Sequence, residues 1–167
     1  MPGQWLVAGA VERVIDAPAG EIYRVLSDVT STGERSNECR RAEWLPESLG
    51  EPVVGARFRG YNRSRLARWS RVCEVIEARP GHAFAFRTIP ERYDLSRRDS
   101  TTWRYDLIPD GQQTTVRHSY EITTPPLRVF KAVYGVLLPQ HRDMRPAMRQ
   151  TLEALAKSLT TNPTTTS

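Results

Sequence analysis

"GARFRGYNRSRLARWSRVCEVIEARPG", residues 55–81, holds seven arginines, at 57, 59, 63, 65, 68, 71 and 79. A run this basic fits a nucleic-acid surface. It fits equally the wet face of a hairpin whose other face is apolar. Alternation separates the two readings, because neighbours on a strand point to opposite sides. Across 57–63, Phe58, Gly60 and Asn62 share one face, and Arg57, Arg59, Tyr61 and Arg63 share the other. Arg63, Arg65 and Arg68 fall at or near the turn that follows. Most of these arginines therefore belong to the outside of a sheet. "WSRVCEVIEA" (69–78) has apolar residues in both registers. If Trp69, Cys73 and Val75 point inward, Arg71 does too and needs a counter-charge or a ligand anion. The alternatives are a bulge or an outward Arg71.

The period of two continues beyond this stretch. "HAFAFRT" follows the Pro80-Gly81 turn and puts Phe84 and Phe86 opposite Ala85 and Arg87. "STTWRYDLI" groups Trp103, Tyr105 and Leu107, and after the turn "PDGQ" the strand "TTVRHSYEIT" groups Val116, His118, Tyr120 and Ile122. Upstream, "AVERVID" (10–16) reads as a first strand. "APAGEIYRVLSDV" reads as a short helix, with Pro18 in its first turn and Ile22, Val25, Leu26 and Val29 as its stripe. A second short helix is expected over Thr32–Glu38. At the other end Met144, Met148, Leu152, Leu155 and Leu159 are spaced 4, 4, 3 and 4 apart, one face of a long helix.

These elements predict an α+β fold in which a curved antiparallel sheet of about seven strands grips the C-terminal helix. Two short helices follow the first strand. An antiparallel sheet cannot leave its apolar face wet, and the long helix is the natural cover. Residues 1–159 read as one domain and the Thr-rich tail 160–167 as disordered.

Composition narrows the function. At 167 residues, 39% apolar and 26% charged, the chain is ordinary for a globular domain. The net charge of +5 and a pI near 9.6 are mild for a nucleic-acid binder, and 22 arginines against 2 lysines suggest codon bias more than a phosphate-binding patch. No nucleic-acid partner is expected. Cys39 and Cys73 match no metal or redox spacing, and no metal or other cofactor is expected. The N-terminus has no signal-peptide pattern, and the longest apolar run, 127–138, has 12 residues interrupted by Arg128 and Lys131. A cytoplasmic protein without a membrane span is expected. Residues 127–138 can be a lid, a contact in a homodimer or part of the long helix.

"VERVIDAPAGEIYRVLSDV", "GERSNECRRAEWL", the arginine-rich stretch extended through "HAFAF", and "TVRHSYEI" with "RDMRPAMRQTLEALA" occur in one order over residues 10–159. In that order they resemble the START-like (SRPBCC, Bet v 1-like) superfamily of helix-grip proteins, and most of all its polyketide cyclase/dehydrase branch. Two departures stand out. Where such proteins often read "WSPEC", this chain reads "RSNEC", with Arg35 replacing the aromatic and Asn37 the proline. Where a "VTESFE"-like pattern is common it reads "VRHSYE", which puts His118 in an acidic residue's place.

The resemblance implies a hydrophobic cavity holding a small apolar or polyketide-like ligand, with cyclase or dehydratase activity in secondary metabolism as the leading function. A non-catalytic carrier or sensor of a lipid or other apolar metabolite is the alternative. Third is an interaction module using the arginine-rich surface or 127–138. There is no Ser-His-Asp signature, phosphate loop or dinucleotide fingerprint, so catalysis would come from a few polar groups in an apolar pocket. His118 is the candidate acid or base, since imidazole titrates near neutrality. Tyr120 and Tyr105 would hydrogen-bond a carbonyl or enolate, and Arg71 or Arg35 would stabilise negative charge. Phe58, Trp69, Phe84, Phe86 and Trp103 would form walls, with Asn62, Met144 and Met148 beside them. For each residue the competing expectation is plain packing, and for His118 a satisfied core histidine.

Overall fold

In the computed structural model, which describes residues 5–161, the period-two segments join into one seven-stranded antiparallel sheet. Its strands are β1 (Ala8–Ile15), β2 (Cys39–Trp44), β3 (Arg57–Arg63), β4 (Arg68–Arg79), β5 (Ala83–Thr88), β6 (Ser100–Asp110) and β7 (Gln113–Thr124). They lie in the order β1-β7-β6-β5-β4-β3-β2. Strands β2 to β7 form an unbroken meander, and β1 returns to pair with β7.

Sequence reading missed β2. Only six residues long, it lies at the sheet edge, and "CRRAEW" hides its alternation behind two arginines. Ala42 faces Gly60 and Trp44 faces Phe58 on the apolar side. On the other side Glu43 accepts a hydrogen bond from the Tyr61 hydroxyl at 2.6 Å.

Helix α1 (Ala19–Ser27) buries Ile22, Tyr23 and Leu26 and lies over β5 and β6. The helix expected over 32–38 is instead a 3-10 turn over Val29–Glu34. Its cause is local: the Asp28 carboxylate accepts from the Thr30 backbone N–H at 3.1 Å and caps the turn. Gly33 then packs hard against the start of β2, where a Cβ would stand 2.3 Å from the Arg40 carbonyl oxygen. Only glycine fits so close an approach.

Residues 127–138 are not part of the long helix. They form a separate helix α2 (Arg128–Leu137), stopped by Pro139, whose Tyr134 hydroxyl donates to the Ser96 carbonyl. Helix α3 (Arg145–Thr161) covers β1 and β7 and buries Met148, Leu152 and Leu155 against the sheet, with Met144 buried just ahead of it. It runs two residues into the segment expected as tail, and 162–167 lie outside the described residues.

The core is made by the inward registers: Phe58, Cys73, Val75, Phe84, Leu107 and Val116, with α1 and α3 above them. Burying a leucine- or phenylalanine-sized side chain stabilises by about 2 kcal/mol each, which is what holds the sheet curved around α3. The ambiguous strand β4 carries a bulge between Val75 and Glu77. It lies beyond Arg71, so Arg71 stays on the inward side with Cys73, opposite Gly60. Several outward arginines are paired with acids: Arg57 and Arg87 both reach Glu74 across strands at 3.0 Å, and Glu77 takes Arg104 from β6 and Arg79 from its own strand. In the opening stretch Arg57 and Arg79 are thus matched by acids on the outer face.

Candidate functional site

The register of β6 on β7 sets Tyr105 opposite His118 and Trp103 opposite Tyr120. Directly opposed residues on one face bring their side chains together. The Tyr105 and His118 rings stack with centroids 4.0 Å apart and planes 20° from parallel. Trp103 lies 5.9 Å from His118 and 5.7 Å from Tyr120. His118 is 4% exposed, and its Nδ1 is sealed in the core without a hydrogen-bond partner.

Burial pulls the imidazole down to about 3. The titration near neutrality expected of His118 therefore gives way to a ring that is neutral at neutral pH, with one nitrogen donating and one accepting. Burial also pushes the Tyr105 hydroxyl up to about 12, so it stays protonated.

Arg35 ends the 3-10 turn and is 7% exposed. Its Nη1 donates to the Ser31 hydroxyl at 2.7 Å and to the Ser31 carbonyl at 3.3 Å. Burial lowers its basicity, partly offset by attraction to Tyr105, Asp28 and Glu34. Ser31, which holds this side chain, is a site residue that sequence reading did not select. The signal was present in the four-residue spacing within a turn.

The aromatic wall is contiguous. Phe58 touches Phe86 at 5.2 Å and Trp44 at 5.7 Å, and Phe84 lies 6.1 Å from Phe86 and 6.2 Å from Tyr23. Trp44 and Tyr23 were not among the expected wall residues. Met148 and Met144 enter the same core from α3 and the residue before it.

The remaining expected residues are engaged elsewhere. Arg71 donates to the Asp99 carboxylate at 2.9 Å and to the Asp99 carbonyl at 2.7 Å, with longer bonds to the carbonyls of Arg97 and Ile89. It ties down the β5–β6 loop. The Tyr120 hydroxyl donates to the Leu6 carbonyl at 3.2 Å. Its ring passes Gly9, where a Cβ would stand 2.8 Å from the Tyr120 Cε1. Asn62 and Trp69 face each other across β3 and β4. They belong to a second group: Trp69 meets the His141 ring at 5.8 Å, and the His141 Nε2 lies 2.6 Å from a Glu38 carboxylate oxygen.

Two hollows open at the surface. One of about 500 Å³ is lined by Glu47–Leu49 and Val53–Arg57, and another of about 420 Å³ by residues of β1, β6 and β7 that include Tyr120. Neither is lined by His118, Tyr105 or Arg35. Among the described residues no three His, Cys, Asp or Glu side chains gather as a metal would require, and no helix is long and apolar enough to cross a membrane.

Residues 8–160 match the model of a family described as polyketide cyclase / dehydrase and lipid transport. Among solved structures, a polyketide-cyclase-like protein of Corynebacterium glutamicum is 27% identical, with a TM-score of 0.60 and 93% of each chain covered. A Thermus thermophilus protein, 15% identical, has a TM-score of 0.69 over 94% of this chain and 99% of that one. The di-domain ARO/CYC protein BexL of the BE-7585A biosynthetic pathway is 16% identical, with a TM-score of 0.64 over 95% of this chain and 48% of its own length. No curated protein matches the chain.

Proposed function

Because the chain belongs to the polyketide cyclase / dehydrase and lipid transport family, we propose that it binds a hydrophobic or aromatic small molecule between α3 and the inward face of the sheet. One observation carries this reading. His118 Nδ1 is sealed in an apolar core without a hydrogen-bond partner, and beside it in that core the buried Tyr105 hydroxyl and the Arg35 Nε and Nη2 form no hydrogen bond with a described residue. In a core that only packs, a sealed group like the His118 Nδ1 costs on the order of 1–3 kcal/mol, so natural cores pair such groups. A ligand with a few oxygens on an aromatic frame would satisfy all three while its rings lie along Phe58, Phe84, Phe86 and Trp103.

Within this reading residues 1–159 act as one ligand-binding domain. The catalytic form is the cyclisation or dehydration of a polyketone-like chain in secondary metabolism. There His118 and Tyr105 hold a carbonyl oxygen, and the aromatic wall folds the chain into a reactive shape. The second reading, a carrier of an apolar metabolite, has its own support. An imidazole pulled to about 3 is a weak base at neutral pH, where efficient general bases titrate near 7.

Native mass spectrometry of freshly purified protein tests the binding core, and an added small-molecule mass is expected. If no mass is retained and no apolar fluorophore binds, the reading is wrong. Incubation with a linear poly-β-ketone then separates its two forms. Turnover that falls at least tenfold in Tyr105→Phe, with the melting temperature kept, marks the enzyme. Retention without conversion marks the carrier.

A further inference from the structure

The geometry points to an anionic ligand: an oxyanion, most simply a carboxylate on the aromatic body, seated on the free edge of Arg35. This rests on the enclosed-ligand reading and adds to it the charge and orientation of the ligand.

Arg35 is 7% exposed, yet among the described residues it forms no ion pair with any carboxylate. Of its five N–H donors, the Ser31 oxygens engage only those of Nη1. Nε and Nη2, the edge that grips a carboxylate through two parallel bonds, have no partner there. The nearby acids do not supply one. The Asp28 carboxylate is spent on the backbone and hydroxyl of Thr30, and Glu34 is exposed to solvent. A long cationic side chain normally carries its head to water. Here the residue is only 7% exposed, and the bond to Ser31 holds its Nη1.

Position supplies the orientation. Tyr105, buried like Arg35, stacks on His118. An oxyanion on Arg35 would place the next polar atoms of the ligand against the Tyr105 hydroxyl and the imidazole, with its apolar part toward Phe58 and Phe86. Arg71 shows what a structural inward arginine looks like in this molecule: it holds a carboxylate and three carbonyls through Nη1 and Nη2, although its Nε is left without a partner.

Two fluorescent probes that share one ring system give the test. N-phenyl-1-naphthylamine is uncharged, and 8-anilino-1-naphthalenesulfonate adds an oxyanion. The intact protein should bind the sulfonate about tenfold or more tighter than the amine, as a charge-assisted pair in a dry site requires. Arg35→Met should abolish that preference and leave amine affinity within about twofold. Arg35→Lys, which keeps the charge and loses the fork, should retain part of it, and it serves if the Met variant does not fold. Arg65→Ala, at the exposed hairpin tip, should change neither probe. Equal affinities in the intact protein, or a preference that survives at Arg35→Met, overturns the anion assignment alone. Failure of both probes to bind overturns the enclosed-ligand reading and this inference with it.

Discussion

Arg71 and Arg35 both stand inside the sheet's curve, and they are treated in opposite ways. Arg71 lies where the β5–β6 loop folds back, and its guanidinium meets Asp99 and the carbonyls of Ile89, Arg97 and Asp99. Arg35 lies where the 3-10 turn meets β2, and one nitrogen meets one serine. Burial alone does not mark a functional charge. What separates the two is the counter-charge: Arg71 faces the Asp99 carboxylate, although its Nε is sealed without a partner, and among the described residues Arg35 faces no carboxylate. An inward cation with its own carboxylate belongs to the architecture, and Arg35 lacks one.

The sharpest way to break this comparison is to take away Arg71's partner. Asp99→Ala should leave a nearly enclosed cation facing only carbonyls, and removing one side of such a pair costs about 3 kcal/mol. For a chain of this length that is a fall in melting temperature of roughly 5–12 °C. Thermal unfolding reads it directly. An unchanged midpoint would mean that the three carbonyls suffice and that Asp99 is incidental.

The second test concerns the imidazole stacked on Tyr105. His118 titrates at about 3 when folded against 6.5 as a free side chain. Between those values the unfolded chain holds the extra proton. Stability is therefore full above pH 6.5 and is lost as pH falls toward 3. From pH 7.5 to pH 5 this one group should remove roughly 2 kcal/mol. His118→Phe should lose that component of the slope in urea unfolding at the two pH values. Equal slopes would show that His118 is protonated, or wet, in the folded protein.

Replacing each inward arginine by methionine reads the comparison in sign. Arg71→Met should destabilise, because the Asp99 carboxylate and the loop carbonyls lose their donor. Arg35→Met removes an unmatched charge from the core and should raise stability by about 1 kcal/mol, at the expense of anion binding. Two changes of the same sign in parallel urea melts would erase the distinction on which the Arg35 assignment stands.

The sequence carried most of the sheet and little of these networks, for a physical reason. Alternation of Phe58, Gly60 and Asn62, and of Val116, His118 and Tyr120, is local, and it fixes which way His118 faces. The spacing of Met148, Leu152 and Leu155 is also local, and it fixes the gripping helix. The short edge strand β2 and the 3-10 turn escaped because two arginines masked one and a side-chain cap at Asp28 redirected the other. Partnerships across loops are not local at all. Asp99 reaches Arg71 over 28 positions and the Leu6 carbonyl reaches Tyr120 over 114, so nothing in the strand pattern could say that Arg71 and Tyr120 were already engaged. Arg35 drew notice only because an arginine stood where an aromatic was expected. Its burial and its idle edge are tertiary facts.

The exposed arginines complete the scale and give the smallest effect. Arg117 on β7 reaches Glu12 on β1 at 2.9 Å, with about half of each side chain in water. A pair so wet gains little Coulomb energy, orders two long side chains and is screened by salt. Arg117→Ala should shift stability by no more than about 0.5 kcal/mol, and roughly 0.5 M salt should erase the difference. A larger, salt-resistant loss would mean that the outer face also contains matched charges that hold the fold. Arg71 would then be one of many such anchors, and the contrast with Arg35 would rest on burial after all.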